Sequence, residues 1–406
     1  MRILITVSSI LTFFLLLFPV QVTAQYCQEA TRFSEVDFFT EAQLDSSMNQ
    51  LYATAPDGQG NPQDLAMDIY YPAFEQDSLL KRPFIMLIHG GGYQTGDRSQ
   101  LIGLCRLFAR RGYVTASMTH RFGPTQALST LYRAQQDADA AMRFIAHHAD
   151  SFRIDTSWLF MGGFSSGANI CLDVVYNQEA DWQAIDSSLI TDFGGLNTSG
   201  NSLTTSFRIK GLFNNWGSAL LPAFDTTEVI PMVAFHGELD PIINIDIDSS
   251  IFRGGSRTLH NFLTQTGTCS DLTVDPNGSH GVYNTPEGAL FRTGRTACFF
   301  KSIICNTCAS NVSTSPVEPT CSGTNTTSVE DFVKRLTVFP NPFTDRIQVE
   351  GFQGHETLTL LGPMGKVIYQ GKQLGGFSTA DLSPGIYYLR IRSIQDFYTI
   401  KLIKLE

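Results

Sequence analysis

Five residues, Gly163-Phe164-Ser165-Ser166-Gly167, have the types and spacing to present a serine hydroxyl as a nucleophile. They follow the apolar run Trp158-Leu159-Phe160-Met161, which reads as a strand, and precede the helical pattern of Ala168 to Tyr176. A hydroxyl that attacks a carbonyl must stand clear of the sheet, and glycines on either side leave room for the sharp, strained turn this needs. The pattern alone is weak, with roughly 0.2 chance matches expected in a chain of this size. Its place between a strand and a helix is what gives it weight. A second motif, His89-Gly90-Gly91-Gly92-Tyr93, closes the buried run Pro83–Ile88. Three consecutive glycines let backbone N–H groups turn toward a developing oxyanion, where side chains would obstruct. Donors from Gly91 or Gly92, with the N–H of Ser166, would complete such a hole. A tight turn or a phosphate-cradling loop is the competing reading. A dinucleotide site would need the full G-x-G-x-x-G and a later acid, and that acid is not clearly present.

A serine nucleophile needs a base, and the base needs an orienting carboxylate. His236-Gly237-Glu238-Leu239-Asp240 ends the apolar run Pro231–Phe235, and Asp240 lies far enough beyond it for a loop to aim its carboxylate. Glu238 is the less favoured acid. Of the later histidines, His260 falls in a helical stretch with Leu259, Phe262 and Leu263, and His355 belongs to a separate C-terminal unit. His280 sits in the turn-rich Pro276-Asn277-Gly278-Ser279-His280-Gly281 and is the expected base. The chain order is then Ser165, Asp240, His280, one of three unrelated triad orders. Tyr93 and Phe164 adjoin the two motifs and are expected to line the pocket, with core packing as the alternative. Such chemistry requires neither a metal nor an organic cofactor.

The elements that must hold these residues alternate strand and helix from about residue 65 to 305. Strands are expected at Met67–Tyr70, Pro83–Ile88, Tyr113–Met118, Trp158–Met161, Ile209–Phe213 and Pro231–Phe235. Between them, Leu101, Leu104, Cys105 and Phe108 mark one helix, and Ala134, Ala138, Ala141, Met142 and Ile145 another. That alternation implies a mostly parallel sheet with helices on both faces. Residues 177–207 are polar and poorly periodic, a lid over the site or a plain surface insertion. Residues 309–330, rich in Ser, Thr, Asn and Pro, read as a linker. Beyond them the period changes to two in short segments broken by Gly, Pro and Asn, the pattern of a small antiparallel β-sandwich over 331–406.

The chain opens with Met1-Arg2, then an apolar run from Ile3 to Val20 and the small residues of Val22-Thr23-Ala24. Residues 1–24 are therefore expected to be a signal peptide, removed before Gln25, leaving no stable membrane span. The catalytic unit is expected over 25–308. All eight cysteines lie in the mature part, an even number suited to disulfides in an exported protein. Cys305-x-x-Cys308 lacks a second ligand pair for zinc, so structural bridging is preferred over metal or redox work. The preferred pairing is Cys269 with Cys298, which bracket the His280 loop. With 28 Lys+Arg against 38 Asp+Glu, the charge balance disfavours nucleic acid as a partner.

Residues 65–300 resemble the α/β-hydrolase fold, and in particular the HGGG-containing esterases and lipases. Arg111-Gly112-Tyr113-Val114, His120-Arg121-Phe122 and Tyr132-Arg133-Ala134-Gln135-Gln136-Asp137 further resemble the carboxylesterase and feruloyl-esterase-like branch. Ser166 departs from the Ala of many relatives, and Asn244 stands where they often have Val-Pro. The last 70 or so residues resemble the C-terminal sorting domain of type IX secretion substrates. The resemblance rests on Val338-Phe339-Pro340-Asn341-Pro342-Phe343, Gly365-Lys366-Val367, Leu382–Leu389 and Lys401–Lys404. It implies a Gram-negative bacterium of the Bacteroidetes lineage and export to the surface or beyond through the type IX machinery. A carbohydrate-binding sandwich is the plainer alternative. Together the resemblances imply a secreted carboxylic ester hydrolase working through an acyl-enzyme on a small-molecule or polysaccharide-linked ester. A serine peptidase of the same fold and a non-catalytic adhesion protein on a hydrolase scaffold are the rivals.

Overall fold

A computed structural model describes residues 24–29, 31–125, 127–221, 229–314, 337–350, 357–362, 366–372, 374, 377–392 and 397–405. The expected signal peptide, apart from Ala24, and residues 315–330 of the expected linker lie outside them, as do Cys321 and His355.

The first unit runs β1 (Leu44–Pro56), β2 (Pro62–Pro72), β3 (Arg82–Ile88), α2 (Ile102–Arg110), β4 (Val114–Met118), α3 (Leu128–His147), β5 (Ile154–Phe164) and α4 (Ser166–Tyr176). It continues through α5 (Glu179–Ile185), α6 (Ser188–Phe193), β6 (Ile209–Asn215), β7 (Ser218–Leu220), β8 (Met232–Gly237), β9 (Ile247–Asp248), β10 (Arg253–Gly255), α7 (Ser256–Gln265), β11 (Ser270–Asp275), α8 (Pro286–Ile304) and β12 (Asn311–Ser313). A short helix α1 (Ala24–Cys27) precedes them. Nine strands form one sheet in the order β1-β2-β4-β3-β5-β6-β8-β11-β12. β1 and β2 are antiparallel to each other, β2 is antiparallel to β4, and every later neighbour is parallel. This is the α/β architecture, a mostly parallel sheet layered between helices.

The central strands show why the sheet needs two helical layers. β3 is buried along its whole length, and its side chains divide by parity. Phe84, Met86 and Ile88 join the core under α3 and α4, while Ile85 and Leu87 join the opposite core with Phe108 of α2 and Phe300 of α8. Phe300 stacks flat on Phe160 at a 4.1 Å centroid distance, fixing α8 on that face. From β3 the chain moves to β4 on one side and later returns to β5 on the other. The sheet order therefore reverses between β3 and β5, and ligands of such sheets bind at the carboxyl ends of strands flanking a reversal.

Residues 177–207 hold the short helices α5 and α6, and the rest of the segment is irregular but tied down. Trp182 is fully buried and donates to Gln135 Oε1 at 2.6 Å, and Tyr132 Oη donates to the Gly194 carbonyl at 2.7 Å. Arg143 adds donors to the carbonyls of Leu196 and Ser199. The segment is docked on α3. The expected linker also changes at its start, because residues 311–313 add β12 to the edge of the sheet, parallel to β11.

The disulfides differ from the expected pairing. Cys269 bonds Cys308 and Cys27 bonds Cys305, so the two cysteines of the C-x-x-C go to different partners. Cys298 is also disulfide-bonded, but not to Cys269. The physical reason is geometric: α8 carries Cys298 along its length, whereas the turn after it brings Cys308 beside the start of β11, at a Cα separation of 6.0 Å from Cys269.

The C-terminal unit is built of antiparallel strands: β13 (Thr337–Phe339) with β14 (Gln348–Glu350), and β15 (Thr357–Leu361), β16 (Val367–Gly371), β17 (Gly385–Arg392) and β18 (Phe397–Lys404) in the order β16-β15-β17-β18. Phe343, Ile347, Leu358, Leu360, Leu389 and Leu402 form its own core. Among the described residues no helix is long and apolar enough to cross a membrane.

Candidate active site

Ser165 occupies the turn between β5 and α4 with φ 53° and ψ −122°, a conformation that non-glycine residues rarely adopt. Its backbone N–H donates to the Asn215 carbonyl at 3.0 Å, tying the turn to the end of β6. The flanking glycines are sterically required. A Cβ on Gly163 would fall 2.3 Å from the Gly167 carbonyl, and one on Gly167 would fall 2.2 Å from the Ile88 carbonyl oxygen. The second clash also shows how tightly the end of β3 presses on the turn. A Cβ on Gly90 would lie 2.7 Å from the Phe164 oxygen and 3.3 Å from Ser165 Cβ.

The structure brings Ser165, His280 and Asp240 into one hydrogen-bonded row. His280 Nε2 lies 2.9 Å from Ser165 Oγ, and His280 Nδ1 lies 2.8 Å from Asp240 Oδ2. The Asp240 side chain is wholly buried and that of His280 about one-fifth exposed. Asp240 Oδ1 accepts from the backbone N–H groups of Ile242 at 2.9 Å and Ile243 at 3.0 Å. Burial opposes the charged carboxylate, but hydrogen bonds from His236, His280 and these two backbone groups outweigh it and hold the carboxyl well below its ordinary value. With the acceptor ionised, His280 carries its proton on Nδ1, which leaves Nε2 as the acceptor facing the serine hydroxyl. Glu238, the rejected acid, is paired with Arg257.

His236 was not singled out by the sequence. Its Nε2 sits 3.3 Å from Asp240 Oδ2 and 2.9 Å from the Ile243 carbonyl, and its Nδ1 lies 2.7 Å from Ser256 Oγ. Asn214 Nδ2 in turn donates to that hydroxyl at 3.2 Å. The acid is thus gripped by two histidines, one facing the serine and one facing the core. Its place at the end of β8, four residues before Asp240, was the available signal.

Gly91 and Gly92 have φ of +122° and +63°, and Tyr93 follows at +63°. The Gly91 carbonyl is turned inward to accept from the N–H groups of Gln94 and Thr95, and the Gly92 carbonyl takes Thr125 Oγ1 at 2.6 Å. Their N–H groups and that of Ser166 make no hydrogen bond within the described protein. The Ser166 hydroxyl is likewise unpartnered, so its side chain adds nothing there that alanine would lack. Under the loop, His89 Nδ1 donates to the Gly90 carbonyl at 2.7 Å, and its ring stacks on His120 at 4.7 Å. Burial, together with the neighbouring His89 ring, pushes His120 down to about 3, so it stays neutral. Tyr93 and Phe164, expected to line the pocket, are 3% and 8% exposed and belong to the core. Phe164 packs edge-on against Phe213 and Trp216. His260 is buried on α7 with its Nδ1 on Ser270 Oγ, and burial drives it down to about 4. Among the described residues no group of three or more His, Cys, Asp or Glu side chains is placed to hold a metal ion.

Two family models match the chain. Residues 67–219 match BD-FAE, and residues 337–405 match the secretion system C-terminal sorting domain. Residues 67–219 form a BD-FAE domain of α/β-hydrolase architecture. The BD-FAE domain spans β3, the glycine loop, Ser165 and α4, and ends within β7. Asp240 and His280 lie beyond its limits. Residues 337–405 form a sorting domain for type IX export to the cell surface or the medium. Two curated proteins are similar in sequence. One is a probable isoprenylcysteine alpha-carbonyl methylesterase from Arabidopsis thaliana, 23% identical over 45% of this chain and 43% of that protein. The other is the esterase LipI from Mycobacterium tuberculosis, 30% identical over 29% of this chain and 35% of that protein. The chain thus spans less than half the length of either relative. Solved structures similar to it include the thermophilic esterase Est2 from Thermogutta terrifontis, 17% identical over 66% of this chain and 94% of that chain, with a TM-score of 0.47. Another is esterase B from Lactobacillus rhamnosis in a phosphonate-inhibited form, 18% identical over 66% of this chain and 89% of that one, with a TM-score of 0.47.

Proposed function

We propose that this protein is an exported serine esterase that cleaves carboxylic esters through an acyl-enzyme on Ser165. The observation that carries this reading is the row of contacts from Ser165 Oγ through His280 to Asp240, at 2.9 and 2.8 Å, beside the N–H groups of Gly91, Gly92 and Ser166, which find no acceptor among the described residues. His280 Nε2 takes the hydroxyl proton as Ser165 Oγ bonds the ester carbonyl carbon. The carbonyl oxygen, now an anion, is held by N–H groups of Gly91 or Gly92 and of Ser166. Collapse of this intermediate expels the alcohol oxygen, which takes the proton back from His280. Water then repeats the attack on the acyl-enzyme, with His280 again as base, and releases the acid. Asp240 holds the His280 tautomer and stabilises the imidazolium formed twice in each cycle. In this reading residues 1–24 are a cleaved signal peptide, 25–308 the catalytic unit and 309–330 a linker, though β12 falls inside the last. The sorting domain over 331–406 hands the chain to the type IX machinery. The BD-FAE match and the esterase named among the curated relatives support the reaction class.

The test is hydrolysis of p-nitrophenyl esters from acetate to palmitate by the wild type and Ser165→Ala. The variant is expected to fall to background, and the chain-length profile of the wild type sizes the acyl pocket. A folded wild-type protein that hydrolyses none of these esters would refute the reading and favour the peptidase or adhesion alternatives.

A further inference from the structure

Arg292 of α8 is 1% exposed, yet among the described residues it forms no ion pair with a carboxylate. A buried cation without a counter-charge is costly, and an apolar side chain of the same length would fill the space more favourably. What an apolar side chain cannot do is bridge. Arg292 Nη1 donates to Asn215 Oδ1 at 2.8 Å, and Nε donates to the Tyr283 carbonyl at 3.2 Å. Tyr283 lies three residues after His280, on the same loop. Asn215 is the residue whose carbonyl accepts the Ser165 N–H, and its Nδ2 donates to the Gly163 carbonyl at 3.0 Å. The guanidinium carbon also lies 5.2 Å from the ring centres of both Phe164 and Trp216. Trp216 in turn meets the His280 ring edge-to-face at 6.2 Å. One side chain therefore touches the serine turn through Asn215 and Phe164, and the histidine loop through Tyr283 and Trp216.

We propose that Arg292 is a positioning residue that sets the His280 loop in register with the Ser165 turn. The proposal rests on the reading of Ser165 and His280 as nucleophile and base. The rigid fork of the guanidinium is what fits it for the task, because its donors diverge in fixed directions to two separate elements. An ammonium at the same place reaches one acceptor at a time. Burial lowers Arg292 to about 10, which leaves it charged at neutral pH.

The experiment compares Arg292→Met and Arg292→Lys with the wild type, using p-nitrophenyl butyrate turnover and the rate of Ser165 labelling by a fluorophosphonate, with folding checked by circular dichroism. Misplacement of a base by about 1 Å costs on the order of 100-fold in rate. The expected result is a fall in kcat of about 10- to 100-fold in both variants, with KM within about threefold and labelling slowed in parallel. If Arg292→Met does not fold, Arg292→Lys carries the test. A folded variant with kcat and labelling rate within twofold of the wild type overturns the proposal, as does a loss confined to KM. If the wild type hydrolyses no ester but its Ser165 is labelled, the esterase reading fails while the labelling rates still decide the role of Arg292. A wild type in which Ser165 is not labelled overturns both.

Discussion

Replacing Asp240 by Asn tests the row of contacts at its most constrained point. Asp240 Oδ1 holds two backbone N–H groups and Oδ2 faces two imidazole nitrogens, so the carboxylate accepts on every side. An amide has one oxygen. If that oxygen keeps the N–H groups of Ile242 and Ile243, the NH2 group points at His280 Nδ1 and His236 Nε2. His280 must then accept at Nδ1 and carry its proton on Nε2, where it donates to Ser165 instead of accepting from it. The base is lost at neutral pH, and the expected fall in kcat is about 10⁴-fold, or about 5.5 kcal/mol of barrier. The assay is kcat/KM on p-nitrophenyl acetate, with Glu238→Gln as a control expected to stay within about threefold of the wild type, since Glu238 faces Arg257. Stability should move too. Asp240 is held below its unfolded value, so its contribution is present above about pH 4 and fades as the pH falls below that. The melting temperature deficit of Asp240→Asn should therefore shrink from pH 7 toward pH 3. An Asp240→Asn enzyme within tenfold of the wild type, or a Glu238→Gln enzyme equally impaired, would refute the assignment.

The Cys269–Cys308 bridge spans 39 residues, and closing a loop of that size in the unfolded chain is worth roughly 4 kcal/mol in the chain-entropy account. Cys269→Ser, Cys308→Ser and the double variant should show the same reduced urea midpoint, and additive losses in the double variant would contradict the pairing. Burial pushes Asp139 up to about 8, with Arg143 working against the shift. The folded state thus keeps a proton that the unfolded chain releases above about pH 4, so this group lowers stability as the pH rises toward 8. Asp139→Asn should raise the melting temperature at pH 8 and change it little at pH 4; a gain of equal size at both would exclude titration as the cause.

The parts of this fold that were legible in the sequence are those with a dense apolar signal. β3 is buried on both faces and reads as a near-continuous apolar run, β4 and the second half of β5 are likewise buried, and α3 carries its stripe over five turns. β1 was missed because Leu44–Pro56 is mostly polar and half-exposed, and its strand form comes from pairing with β2. β12 was hidden for the same reason, as three residues that gain order only from a neighbour. At the site, Ser165, Asp240 and His280 were readable because each stands at a strand end or in a turn with few competitors. His236 was overshadowed by the acid it supports. Arg292 and Trp216 left no local trace, since what marks them is contact with residues distant in the chain, Asn215 for Arg292 and His280 for Trp216. Tyr93 and Phe164 were adjacent to the motifs in sequence, but successive residues at a sharp turn point in different directions, and both turned into the core.

The Cys27–Cys305 bond joins residues 278 positions apart, so the chain between them is a covalently closed ring. A single protease cut at any surface loop within that ring opens it without releasing a fragment. In an environment rich in foreign proteases, a nicked molecule would keep its serine, acid and histidine on one covalent body, and the damage would become visible in size only after reduction.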